Sequence, residues 1–252
     1  MKFFFNWLTV SLLFIAFSTN AQNIKRCMHD EWMNETIKRH PKTIKLLEQQ
    51  QAFLKAASIP SSTAAKGTGL VTIPVVFHIV LNSVQLSQIG GAAGVALRVD
   101  SQMAVLNRDF SGGSLDQAGI PSVFKPLYGN ANIKFGLAHT KPDGTSTLGY
   151  IIKTTSQSSF SAVGGSVGSM TACSDAKYAI TDGSDAWDPS KYLNIWIVNF
   201  TEGTLLGICP PMSWGVGGGF PIAEVGPAIH YKTFGKQGPG QSGFLVGYNG
   251  GR

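Results

Sequence analysis

Two stretches of this chain are apolar on both faces when laid out as strands, and that requirement governs the rest of the fold. In VTIPVVFHIVLN (71–82), Ile73, Val75, Phe77, Ile79 and Leu81 fall on one side, with Val76, His78 and Val80 on the other. In KYLNIWIVNF (191–200), Leu193, Ile195 and Ile197 oppose Trp196, Val198 and Phe200. Such strands belong in a sheet covered on both sides, as parallel sheets are. NIKFGLAHT (132–140), GYIIKTT (149–155), LLGICP (205–210) and AIHYKTFG (228–235) add shorter strands. One helical stripe is clear: Val99, Met103, Leu106 and Phe110 recur at i, i+4, i+7 and i+11, which predicts a helix over 95–110. The expected fold class is therefore α/β (α+β): a twisted, mostly parallel sheet of about five strands with a backing helix. That helix covers one face. The second face needs loops, or a helix belonging after Arg252.

Composition narrows the function classes. Hydrophobic residues make up 43% of the 252 and charged residues 13%, which excludes a disordered chain. The formal charge of +6 is scattered, and no basic run interleaves with aromatics, so no nucleic-acid groove is expected. Residues 1–21 open with Lys2, continue as an apolar run to Phe17 and end on small residues at Thr19 and Ala21. This is the pattern of a secretory signal peptide, and no second stretch is long enough for stable membrane insertion. The product is expected outside the cell. Residues 22–69 are charged and helix-prone, broken at Pro41, and end in the small-residue linker SIPSSTAAKGTG (58–69). They read as a propeptide, or as a helical cap that is never removed. Residues 70–252 form the main domain. Cys27, Cys173 and Cys209 are an odd set for an oxidising compartment; a Cys173–Cys209 bridge leaves Cys27 over, and the pairing stays open.

Several motifs have a plain structural reading. Asp182, Asp185 and Asp188 in TDGSDAWDP suit a turn before a strand; their carboxylates also suit calcium, although the spacing is not an EF-hand loop. His78 and His230 sit inside strands and read as core or edge residues. GVGGGF (215–220) is followed by no lysine and reads as a loop rather than a phosphate cradle. The sequons at Asn34 and Asn199 matter only in a glycosylating host.

Taken in order, IPVVFHIVLN, MAVLNRDF, IKFGLAHTKPDGTSTLGY, SDAWDPSKYLNIWIVNF, TLLGICPP and IHYKTFG resemble the catalytic domain of pappalysin-like zinc metallopeptidases, the ulilysin-type branch of the metzincins. The likeness runs over about 70–252. It implies the upper subdomain of a metzincin-like zincin fold, cleavage of protein or peptide substrates bound in extended conformation, and zinc held by an H-E-x-x-H helix. YNGGR (248–252) stands where the family's turn leads into that helix, so the chain is expected to stop just ahead of it. His29, His40, His78, His139 and His230 are the five histidines; no two are four apart, and no His-Glu pair occurs. Zinc ligands and general base are therefore absent from this sequence, zinc is not expected to bind it, and no peptidase activity is predicted. By the same resemblance Cys27 in RCMHDE matches the family's latency cysteine, which ligates zinc. TLLGICPP matches the edge strand above the cleft: Leu206, Gly207 and Ile208 would contact substrate, and Pro210 and Pro211 would end the pairing. The alternative is a secreted non-catalytic peptide-binding or decoy module using the same edge strand. An all-β adhesion domain is opposed by the 95–110 helix.

Overall fold

The computed structural model describes residues 69–113, 115–162, 174–209 and 226–235, with isolated positions of a helical segment between 30 and 55. The leader, Cys27, Cys173, GVGGGF and YNGGR lie outside the described residues.

The sheet grows around β1 (Val71–Leu81), the longer of the two-faced strands. β2 (Ile133–Leu137) pairs with Val71–Val75 and β3 (Tyr150–Thr154) with Phe77–Leu81, so two short strands lie in series along one edge of β1. β4 (Leu193–Val198), the second two-faced strand, takes the other edge over Val75–Ile79. β6 (Ala228–His230) follows β4, and β5 (Gly207–Ile208) closes the order β2-β1-β4-β6-β5. All pairings are parallel except β5 with β6. Pro74 is tolerated in β1 because the β4 ladder starts only at Val75, so its missing N–H falls where the strand is paired on one side. The described sheet has six strands, in keeping with the expected count of about five, because two short strands share one edge of β1.

The first face is packed by α2 (Gly91–Phe110). Val95, Val99, Met103 and Leu106 meet Val75, Phe77, Ile79, Leu81, Ile195 and Ile197, with Phe110 partly buried against them. Each of the fully buried side chains is worth about 1.5–3 kcal/mol of transfer free energy. Asn107 ties the helix to the sheet: its Nδ2 donates to Phe135 O (3.0 Å) and its Oδ1 accepts from Phe135 N–H (2.7 Å). The helix begins four residues earlier than the 95–110 that its apolar stripe predicts. A further helix, α1 (Ser83–Gln88), is one the sequence pattern misses. At six residues it is too short to show a period, and it is held by the Asn82–Gln85 capping box.

The second face is also covered, and loops do it. Phe160, Ala162, Ala176, Phe200 and Leu205 pack on Val80, Trp196, Val198, Ile208 and Ala228, while Trp187 and Ala138 cover Val76. Of the two covers that the sequence leaves open, loops are the one seen among the described residues. Single apolar residues in irregular segments provide the cover, including a 3-10 turn over Ser174–Lys177. Lys177 is fully buried in it; its Nζ donates to Gly226 O (2.9 Å) and lies 5.0 Å above the Trp196 ring, replacing solvation with a carbonyl and a π face.

Candidate functional site

Among the described strands β5 is the outermost, and it is short. A turn at 201–204 leads in, with Leu205 N–H donating to Glu202 O (2.8 Å). Leu205 is buried and anchors the turn; Leu206 is half-buried, and its carbonyl accepts from His230 N–H (2.9 Å). In an antiparallel ladder the hydrogen-bonded positions alternate. Gly207, opposite Ile229, therefore directs its own N–H and C=O away from β6. Ile208, opposite Ala228, turns its side chain into the core cluster. Leu206, Gly207 and Ile208 thus lie at the last described strand of the sheet, with the Gly207 N–H and C=O directed away from β6 and Gly207 itself buried. The Glu202 carboxylate braces this edge by accepting from Ala162 N–H (3.0 Å) and the Ser161 hydroxyl (3.2 Å).

Cys209 follows directly and is half-buried; burial raises its thiol pKa, with the Lys177 charge acting against that. Cys173, its partner in the bridge the sequence leaves open, lies outside the described residues. A cavity of about 490 Å³ adjoins Cys209, at the end of the sheet where the parallel strands begin. Ile73, Pro74, Phe110, Phe135 and Leu193 line it, with Lys191 also among its walls.

Among the described residues the histidines are not gathered. His78 is fully buried between β4 and the 182–190 loop. Asn194 Oδ1 accepts from both Trp187 N–H (2.8 Å) and His78 Nε2 (3.0 Å), which fixes the proton on Nε2. Nδ1 then accepts from the Ser184 hydroxyl (2.8 Å), and the ring stacks on Trp196 at 4.9 Å. The imidazole is held neutral: desolvation lowers its pKa to about 4, against the opposing pulls of Asn194 and Asp185. His230 likewise falls to about 4, through burial and then the Lys232 charge, and its Nδ1 accepts from Lys232 N–H (3.1 Å). His139 is exposed on its loop. Ser184, His78 and Asn194 have the residue types of a nucleophile triad, but Asn194 is fixed by Trp187 N–H and C=O and all three side chains are buried, so they serve as a structural pin.

The three aspartates each hold a turn. Asp182, at φ +63°, accepts from the Thr155 hydroxyl and from Ser156 N–H and hydroxyl, and pairs with Lys153 at 3.1 Å. These bonds hold its carboxyl well below the usual range. Asp185 accepts from Ala179 N–H, and Asp188 from Ser190 N–H and hydroxyl. Among the described residues no three of His, Cys, Asp and Glu form a group able to hold a metal. With both nitrogens of His78 engaged in the core, the described residues do not fit a zinc site.

No family model matches the chain, and no curated protein sequence does. Solved structures do. A mutant of Tannerella forsythia promirolysin superposes with a TM-score of 0.66 at 30% identity, over 88% of this chain and 65% of that one. The fold is metzincin-like. Mirolysin in complex with compound 9 gives 0.55 at 36% identity, and Tannerella forsythia mature mirolysin in complex with a cleaved peptide gives 0.55 at 35%. Both cover 71% of this chain and 59% of theirs. The chain thus spans less than two thirds of the length of these solved relatives.

Proposed function

We propose that this chain supplies the sheet subdomain of a secreted, pappalysin-like zinc metalloendopeptidase, and that its share of the work is to hold an extended peptide along β5. The observation that supports this reading is the direction of the Gly207 N–H and C=O, which point away from β6 on the last described strand: a peptide that displaces what buries Gly207 pairs there through its own backbone and needs no side-chain match. The cleaved peptide bound to mature mirolysin supports the same substrate class. In the intact family zinc supplies the activated water. Nothing among the described residues holds it, and the sequence has no His-Glu pair, so this chain alone is expected to bind peptide without hydrolysing it. On this reading residues 1–21 are the export leader and residues 22–69 a removable pro-segment. The promirolysin match covers 88% of the 252 residues against 71% for the mature form, a difference of about 43 residues, close to the length of that segment. Cys27, outside the described residues, is the position corresponding to the family's latency cysteine.

The test is fluorescence anisotropy with a labelled extended peptide. Binding is expected, and N-methylation of the peptide amides that face β5 is expected to weaken it about tenfold, the cost of one or two unmade backbone hydrogen bonds. Equal binding of the methylated peptide overturns the edge-strand reading. Peptide turnover with stoichiometric zinc in the purified chain overturns its inactivity. A second reading, a stand-alone peptide-binding or decoy module, draws support from the double cover of the sheet. It requires a stable monomer on size exclusion, whereas a domain needing further chain to fold would aggregate and bind ANS.

A further inference from the structure

We infer that Met33 and Ile37 form an anchor that docks the 22–69 segment on the loop-covered face of the sheet, the face opposite α2, independently of the covalent link. The inference rests on the reading that this segment is removable. Met33 is half-buried and packs against the cluster that contains Val80, Phe160, Trp196, Val198 and Ile208, all of which belong to the main domain. Ile37 lies one helical turn further on and is half-buried too. A spacing of four places both side chains on one side of a helix. Burial is confined to that stripe among the described positions: Asp30, Asn34 and Lys38 are exposed, as are Pro41, Ile44, Lys45, Glu48, Gln49, Ala52 and Lys55. Among the described positions, the contact with the domain is therefore apolar and lies ahead of Pro41.

The chemistry of the contact fits a detachable partner. Methionine is unbranched and adapts to an irregular surface, so it can seat against loop residues without a preformed socket. A pair of half-buried apolar side chains supports an intramolecular contact at the high effective concentration a linker gives, but only a weak complex once the linker is cut. The anchor and the linker thus act in series. Cutting the linker leaves the segment seated, and dilution then removes it. Departure of Met33 uncovers apolar surface of the cluster it packs against.

The experiment uses the exported chain carrying a site-specific protease sequence within 57–68 and a tag on the main domain. After cutting, the segment is expected to co-purify with the domain at high protein concentration and to wash off on dilution. Met33→Asp is expected to lower retention at least tenfold, the cost of placing a charge in an apolar contact. Ile44→Asp, at an exposed position, is expected to leave retention unchanged. Equal retention of Met33→Asp and Ile44→Asp overturns the proposal, as does immediate loss of the wild-type segment at high concentration. Circular dichroism of the uncut Met33 variant separates release from unfolding, and Met33→Ala, which introduces no charge, should fall between the two. N-terminal sequencing of the naturally secreted product tests the other reading: a product beginning near residue 22 refutes removal but leaves the anchor standing.

Discussion

Asn194 ties three buried polar groups together. It joins the Trp187 backbone through both a donor and an acceptor and fixes the tautomer of His78. Asn194→Ala leaves three buried partners unmade, which should cost about 3 kcal/mol or more in urea denaturation. His78 gives a pH prediction whose sign is fixed. Its folded pKa of about 4 lies below the ordinary 6.5, so the unfolded chain binds more protons between those values. Stability is therefore complete above pH 6.5 and declines as pH falls toward 4, by an amount on the order of 3 kcal/mol for a fully buried ring. The thermal midpoint should fall across that window, and a flat profile would contradict the assignment. The acidic turn residue Asp182 acts in a separate window, because its lowered pKa releases stability only as pH falls below the ordinary carboxylate range. His230 titrates in the same direction as His78 and adds to the decline.

At the level of elements, the strands that run through the core are legible in the sequence because alternation is their only period. Phe77 and His78 really do face opposite clusters, and so do Ile195 and Trp196. The α2 stripe is legible for the same reason. α1 is not, since a one-turn helix has no repeat to read. β5 is legible only as the longer strand LLGICP (205–210), of which two residues pair, and its edge position comes from the family resemblance. The α1–α2 corner is a place where backbone chemistry decides the outcome. Gly90 and Gly91 have φ of +90° and +63°, and a Cβ on Gly94 would lie 1.8 Å from Ile89 O. Gly94→Ala should therefore unseat the start of α2 and cost on the order of 3 kcal/mol, well beyond the ~1 kcal/mol that alanine normally gains over glycine in a helix. A melting temperature equal to or above that of the parent chain would show that the corner relaxes freely.

For the whole molecule, the sequence specifies a doubly covered sheet but not what covers it. The second cover is assembled from Phe160, Ala162, Ala176 and Leu205, single residues spread over irregular chain, and isolated apolar residues carry no periodic signal. The candidate edge is legible only as far as its neighbours are: His230 and Glu202 hold it through a backbone bond and a carboxylate brace that no spacing rule announces. One feature of the sheet has a kinetic meaning as well. β1 opens the domain, yet every strand it pairs with lies later in the chain, from Ile133 in β2 to Leu193 in β4. Emerging from synthesis or from an export channel, this most apolar strand must wait for more than a hundred residues before its last partner arrives. Its native contacts are almost all distant in sequence, which places the domain among slow folders and leaves β1 the segment most in need of a chaperone until β4 closes beside it.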